Sequence, residues 1–225
     1  MLARYFPSSL TRAVCIAFAV FPAVLLAATS RVAGAAPPPP PQLRLAQGVV
    51  RGALRHGIEV FRAIPYAAPP VGPLRFHAPA PPRPWTGVFN ATSNGPSCPQ
   101  RPSADPAGKA STDEDCLRLN VFAPASPATS PRPVMVWIHG GGFVEGFSGA
   151  PQYNPTALVK EGGVVVVSIN YRLGILGLLA LPSLDRANGQ PSGNFGILDQ
   201  QAALGWVHRN IAAFGGDPRN VTIFG

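Results

Sequence analysis

The run Val134-Met135-Val136-Trp137-Ile138-His139-Gly140-Gly141-Gly142-Phe143 decides how this chain folds. Its first five residues are continuously apolar and follow Pro133, which reads as a strand covered on both faces. Three glycines come next, and without a Cβ they free the backbone to turn sharply. A second apolar run, Val164-Val165-Val166-Val167-Ser168-Ile169, follows Gly162-Gly163. Between the two runs, Asn154 to Lys160 reads as a short helix with Pro155 near its start. Downstream, Ile197, Leu204, Val207, Ile211 and Phe214 recur seven, three, four and three apart, which is one face of a helix. Gly215-Gly216 and Pro218 stop that helix. Asn220 to Gly225 then forms a last strand. Buried strand, helix, buried strand, helix, strand specifies an α/β fold with a mostly parallel sheet.

Toward the N-terminus the pattern changes. Leu43-Arg44-Leu45, Gly48 to Gly52 and Ile58 to Phe61 read as short antiparallel strands added to the edge of that sheet. Leu117-Arg118-Leu119-Asn120-Val121-Phe122 alternates, as a strand half exposed to solvent does. The 28 prolines cluster in Pro37–Pro41, Pro65–Pro84 and Pro124–Pro133, between the strands rather than inside them. At 225 residues the chain holds one sizeable core, and no internal repeat is visible.

Arg4 and Arg12 precede an apolar stretch, Val14 to Ala28, that ends in small residues through Ala33-Gly34-Ala35. Residues 1–35 are therefore expected to be a signal peptide, with an uncleaved anchor as the other reading. Residues 36–42 read as a stiff proline-rich spacer, and 43–225 as the folded part. After signal removal no stable membrane span is expected, and the protein would be secreted or periplasmic. Two cysteines then remain, Cys98 and Cys116, either disulfide-bonded or as two thiols. Asn90-Ala91-Thr92 and Asn220-Val221-Thr222 match the glycosylation sequon, the first in a loop-like stretch and the second in a buried strand. Without Arg4, Arg12 and Arg31 the net charge falls from +8 to +5. The remaining arginines are scattered and no basic run tracks a phosphate backbone, so nucleic acid is not an expected partner.

In a parallel sheet the active site lies at the carboxyl ends of the strands, where His139-Gly140-Gly141-Gly142 stands. Successive glycines let backbone N–H groups converge on one point, as stabilising the oxyanion of acyl transfer requires. A phosphate cradle would need a GK[ST] or a G-x-G-x-x-G opening a helix, and neither follows. His139 reads as a packed residue shaping the loop, with a catalytic role as the alternative.

The ordered motifs resemble the type B carboxylesterase/lipase family, which includes cholinesterases and para-nitrobenzyl esterases. They are Phe61 to Ala67 with Pro69-Pro70-Val71-Gly72 and Leu74-Arg75-Phe76, then Glu114-Asp115-Cys116-Leu117, and His139 to Phe143. Asn170-Tyr171-Arg172, Gly193 to Gly196 with Leu198-Asp199-Gln200, and Phe214 to Pro218 complete the set. The resemblance covers Leu43 to Gly225 and implies an α/β-hydrolase fold, of which this is the N-terminal half. It implies that Gly141 and Gly142 supply oxyanion-hole amides, with His139 and Gly140 supporting the loop. It also implies a disulfide between Cys98 and Cys116, and ion pairs Arg75–Glu114 and Arg172–Asp199. Two positions depart from the family's pattern. Arg118 stands where tyrosine or threonine is usual, which reads as a surface variation, and Ala63 stands where glycine is.

What the resemblance implies is a serine esterase acting on small carboxylic esters, with no metal or organic cofactor. It places the nucleophile two positions after Gly225, so no catalytic triad residue falls within the chain. The 225 residues, as a fragment, are expected to be inactive. A non-catalytic, cholinesterase-like adhesion protein is the alternative on the same scaffold.

Overall fold

The computed structural model describes residues 38–102 and 108–225. The expected signal peptide, residues 1–35, and the start of the expected spacer lie outside the described residues. In chain order the strands are β1 (Gln42–Leu45), β2 (Gly48–Arg51), β3 (Ala53–Arg55), β4 (Ile58–Pro65), β5 (Val88–Asn90), β6 (Arg118–Pro124), β7 (Arg132–Ile138), β8 (Val165–Ile169) and β9 (Gly216–Phe224). The helices are α1 (Thr156–Gly162), α2 (Gly174–Leu178), α3 (Pro182–Asn188) and α4 (Phe195–Asn210).

Six strands form the main sheet in the order β3-β4-β6-β8-β7-β9. β4, β6 and β8 pair antiparallel, whereas β7 runs parallel to both β8 and β9. The parallel part is the one that the two apolar runs announced. β1 and β2 do not extend this sheet as expected. They form a hairpin that adds β5 in parallel and makes a separate three-stranded sheet. Trp85 closes it, donating from Nε1 to the Val49 carbonyl at 2.9 Å and packing its ring on Phe89.

β8 is buried at all five positions. One face of the main sheet is covered by α4, whose Trp206 is fully buried beside Phe214, and Phe214 meets Phe61 edge-on. The buried residues of α4 are Phe195, Gly196, Asp199, Ala203, Trp206, Val207 and Asn210. Ile197 and Leu204, expected on that face, are half-buried, while the polar Asp199 and Asn210 are buried. The other face carries α1, only two turns long, over β4, β6 and β8. Hence β7 is not covered on both faces: Val134 and Val136 are buried, Met135 and Trp137 only partly. β9 lies at the sheet edge, so Ile223 is exposed, and so is Asn220, which was expected to be buried. Asn90, expected in a loop, ends β5 and is exposed.

β6 also departs from expectation, since Leu119 to Ala123 are all buried. Its polar residue faces a buried network rather than water. Asn120 Nδ2 donates to the hydroxyls of Ser168 (3.0 Å) and Ser148 (3.2 Å), and Asn120 Oδ1 accepts from the Ala63 amide at 3.0 Å. α2 and α3 had no periodic signal, being five and seven residues long.

Ala63 sits in a bulge of β4, where the register with β6 shifts between Phe61 and Ile64. Its φ is 56°, in the left-handed region that costs a residue with a Cβ roughly 1–2 kcal/mol. Ala63→Gly should therefore stabilise the chain by about 0.5–1 kcal/mol, the strain relief exceeding the entropy that glycine adds to the unfolded state. A denaturation midpoint that falls would contradict this.

Candidate active site

β7, β8 and β9 run parallel, so their carboxyl ends share one edge of the sheet. His139 follows β7, Asn170-Tyr171-Arg172 follows β8, and Gly225 follows β9. A Cβ on Gly225 would stand 2.4 Å from the Ile138 carbonyl, so the end of β9 lies against the start of the glycine loop.

The loop is shaped by backbone with positive φ, and at Gly141 only glycine fits. Gly141 has φ 112°, and a Cβ there would fall 2.1 Å from the Glu145 carbonyl oxygen. Gly142 (φ 58°) and Phe143 (φ 63°) are also left-handed, but a Cβ on Gly142 would meet nothing within 4 Å. The Gly141 carbonyl accepts from Val144 and Glu145 at 3.0 and 3.2 Å, closing a turn. The Phe143 carbonyl accepts from Gly174 at 2.6 Å, which ties the loop to α2. Among the described residues the amides of Gly140, Gly141 and Gly142 donate to nothing, and Gly140 and Gly142 are exposed. Unspent donors on a rigid turn are what an anionic oxygen needs.

His139 is buried under the loop. Its ring stacks on Tyr171 at 4.5 Å, its Nδ1 lies 2.9 Å from the Gly140 carbonyl, and Tyr171 donates its hydroxyl to the His139 carbonyl at 2.7 Å. Burial pushes the Tyr171 phenol up to about 12, the Tyr153 phenol adding to the shift, so Tyr171 remains a donor at neutral pH. Burial lowers the His139 pKa, opposed by its hydrogen bond to Gly140. Folding then favours neutral His139: the unfolded chain binds more protons, and stability is lost as pH falls below about 6.5. Urea midpoints should drop between pH 7.5 and 5.5, and His139→Gln should flatten that slope. An unchanged slope would contradict the assignment.

Arg172 and Asp199 form a fully enclosed pair, with side chains 3% and 0% exposed. Arg172 Nε donates to Oδ2 at 2.8 Å and Nη2 to Oδ1 at 2.7 Å, and the Arg172 amide adds 3.0 Å to Oδ2. Burial pushes the Asp199 carboxyl up while these three bonds oppose it, and the bidentate geometry is that of an ionised pair. The guanidinium also lies over the Phe195 ring at 5.3 Å. This pair fixes the N-terminal half of α4 to the segment that carries Tyr171. Tyr66 packs beside it, donating to the Asn170 carbonyl at 2.7 Å, its pKa raised by burial and by Asp199.

Arg75 and Glu114 are also bidentate, at 2.7 and 2.6 Å, but Arg75 is 44% exposed. Water screens this pair, so it positions the proline-rich loop more than it stabilises the fold. Cys98 and Cys116 are joined in a disulfide and both buried. A loop of that length contributes roughly 3 kcal/mol in the chain-entropy picture. Arg118 is more than a surface variation: it donates to Asp115 Oδ2 at 2.6 Å and to the Ala63 carbonyl at 3.2 Å, locking the β4 bulge. Tyr171 and Gln100 stand around the loop without a role assigned to them from sequence. Tyr171 carried a signal, since it stands in the Asn-Tyr-Arg motif directly after a buried strand. Gln100 carried none.

The described residues hold no cluster of His, Cys, Asp or Glu suited to a metal ion, and no helix long and apolar enough to cross a membrane. The sheet order and the glycine loop after its β7 strand define an α/β-hydrolase fold. The profile of the Carboxylesterase family matches residues 39–225, and the chain belongs to that family. It is 50% identical over 183 residues to the para-nitrobenzyl esterase of Bacillus subtilis, and 46% identical over 191 residues to the cholinesterase of Mus musculus. Each match covers 79% of this chain, but 36% and 31% of the relative. The chain thus spans about a third of the length of these relatives. Among solved structures, a thermophilic PNB esterase superposes with a TM-score of 0.76 at 48% identity, covering 82% of this chain and 38% of that one. The Geobacillus stearothermophilus carboxylesterase at pH 6.8 gives 0.72 at 46% identity, with the same coverages.

Proposed function

We propose that this chain supplies the oxyanion-stabilising part of a serine carboxylesterase whose substrate is a carboxylic ester. The observation that carries this is the turn at Gly141-Gly142, with unspent amides beside the end of β9. A serine two positions after Gly225 would leave the sheet next to that turn. Its Oγ attacks the ester carbonyl as a histidine takes its proton, and the carbonyl electron pair moves onto oxygen. The Gly141 and Gly142 amides hold that oxygen, and collapse expels the alcohol with the proton from histidine. Export to an oxidising compartment fits the Cys98–Cys116 disulfide.

The test is a graft. Residues 43–225 replace the corresponding third of the B. subtilis para-nitrobenzyl esterase, and turnover of para-nitrophenyl acetate is measured. Saturable turnover by the folded graft supports the proposal. A graft that folds, by circular dichroism, yet turns over no faster than denatured protein would overturn it, and would favour the non-catalytic alternative.

A further inference from the structure

We infer that Gln100 is a positioning residue for the oxyanion turn, clasping Gly146 from the disulfide-closed segment. The inference rests on the role proposed above for Gly141 and Gly142. The Gln100 side-chain amide makes both bonds that the Gly146 backbone offers. Nε2 donates to the Gly146 carbonyl at 2.8 Å, and Oε1 accepts from the Gly146 amide at 2.9 Å. Among the described residues nothing else bonds to those two groups.

The clasp is held at its root. Gln100 stands two residues after Cys98, to whose carbonyl Nε2 also donates at 3.1 Å, and Cys98 is fixed by its disulfide. The Gln100 backbone pairs in both directions with Ser111, at 3.0 and 3.1 Å. The amide is therefore presented by a braced segment rather than by a free side chain.

On the other side, Gly146 rests directly on the catalytic loop. It is buried, with φ 126°, and a Cβ there would stand 2.1 Å from His139 Nδ1 and 2.6 Å from the Gly140 carbonyl. Immediately upstream, Val144 and Glu145 close the turn onto Gly141. The turn thus has two abutments: Tyr171 beneath His139 at one end, and Gln100 beneath Gly146 at the other. Without the clasp, the Gly146 N–H and C=O are buried and unpaired, and the turn can drift from the His139 ring. A displacement near 1 Å at an oxyanion donor costs roughly 100-fold in rate.

Two measurements test this. In the grafted enzyme, Gln100→Ala should lower kcat about 10- to 100-fold with KM little changed. Gln100→Glu should be similarly impaired at pH 8, because a carboxylate accepts from the Gly146 amide but cannot donate to its carbonyl. Protonation restores the donor, so the Gln100→Glu to parent ratio of kcat should rise as pH falls. A residue that merely filled space would show no such rise. Independently of catalysis, amide hydrogen exchange at Gly146 and Glu145 in the 225-residue chain should quicken in Gln100→Ala, with β8 unchanged. Unchanged exchange, or faster exchange with parental kcat in an active graft, would overturn the inference. An inert parental graft would count against the esterase proposal instead, and the exchange rates would then decide the clasp alone.

Discussion

Arg172→Ala is expected to destabilise the chain by about 3–5 kcal/mol, the cost of leaving a buried carboxylate without its partner. Asp199 is fully enclosed and its bonds from Nε and Nη2 both disappear, leaving the single one from the Arg172 backbone. The effect should appear as a lower urea midpoint with the slope retained. It should also depend on pH in a definite direction. The stranded Asp199 has its pKa raised further in the folded state, so folded protein binds more protons than unfolded, and the variant regains stability as pH falls. Removing both partners separates the causes. Arg172→Met with Asp199→Leu should recover most of the loss, because no charge is left buried. A loss below about 1 kcal/mol in the single variant would show that the pair is solvated, as surface pairs are.

Gly141→Ala carries the largest expected effect on activity. Its added Cβ would meet the Glu145 carbonyl oxygen at 2.1 Å, and backbone of that turn must move to admit it. Gly142→Ala makes a sharp contrast. It meets no atom within 4 Å, and its φ of 58° costs only the left-handed strain of about 1–2 kcal/mol. The first should misplace the oxyanion amides and lower kcat about 100- to 1,000-fold, the loss that follows removal of one such donor. The second should leave kcat within about tenfold of the parent if the turn keeps its shape.

The parallel half of the sheet was legible because β7 and β8 are apolar runs bounded by glycine, and the sharp turn after β7 because three glycines follow it. What stayed hidden depends on contacts distant in sequence. Asn120 alternates with leucine and valine as a solvent-facing residue would, but Ser148 and Ser168 make its inward position satisfiable. β7 reads as doubly covered, yet its Met135 and Trp137 are only partly buried beside the short α1. β1 and β2 have ordinary strand patterns, and nothing local says that they pair with β5 rather than with the main sheet. Ala63 was noticeable as a departure from glycine, while its cause, a left-handed bulge, is a property of the fold. Gln100 is an unremarkable polar residue until the chain brings Gly146 to it across 46 positions.

Burst kinetics with para-nitrophenyl acetate in the grafted enzyme test the central claim most directly, by comparing the acylation rate of the parent with that of Gly141→Ala. The account predicts a folded variant whose acylation is slower by about 100- to 1,000-fold, with ester binding retained. Acylation of that variant at the parental rate would contradict it, because the turn at Gly141 would then play no part in holding the oxyanion.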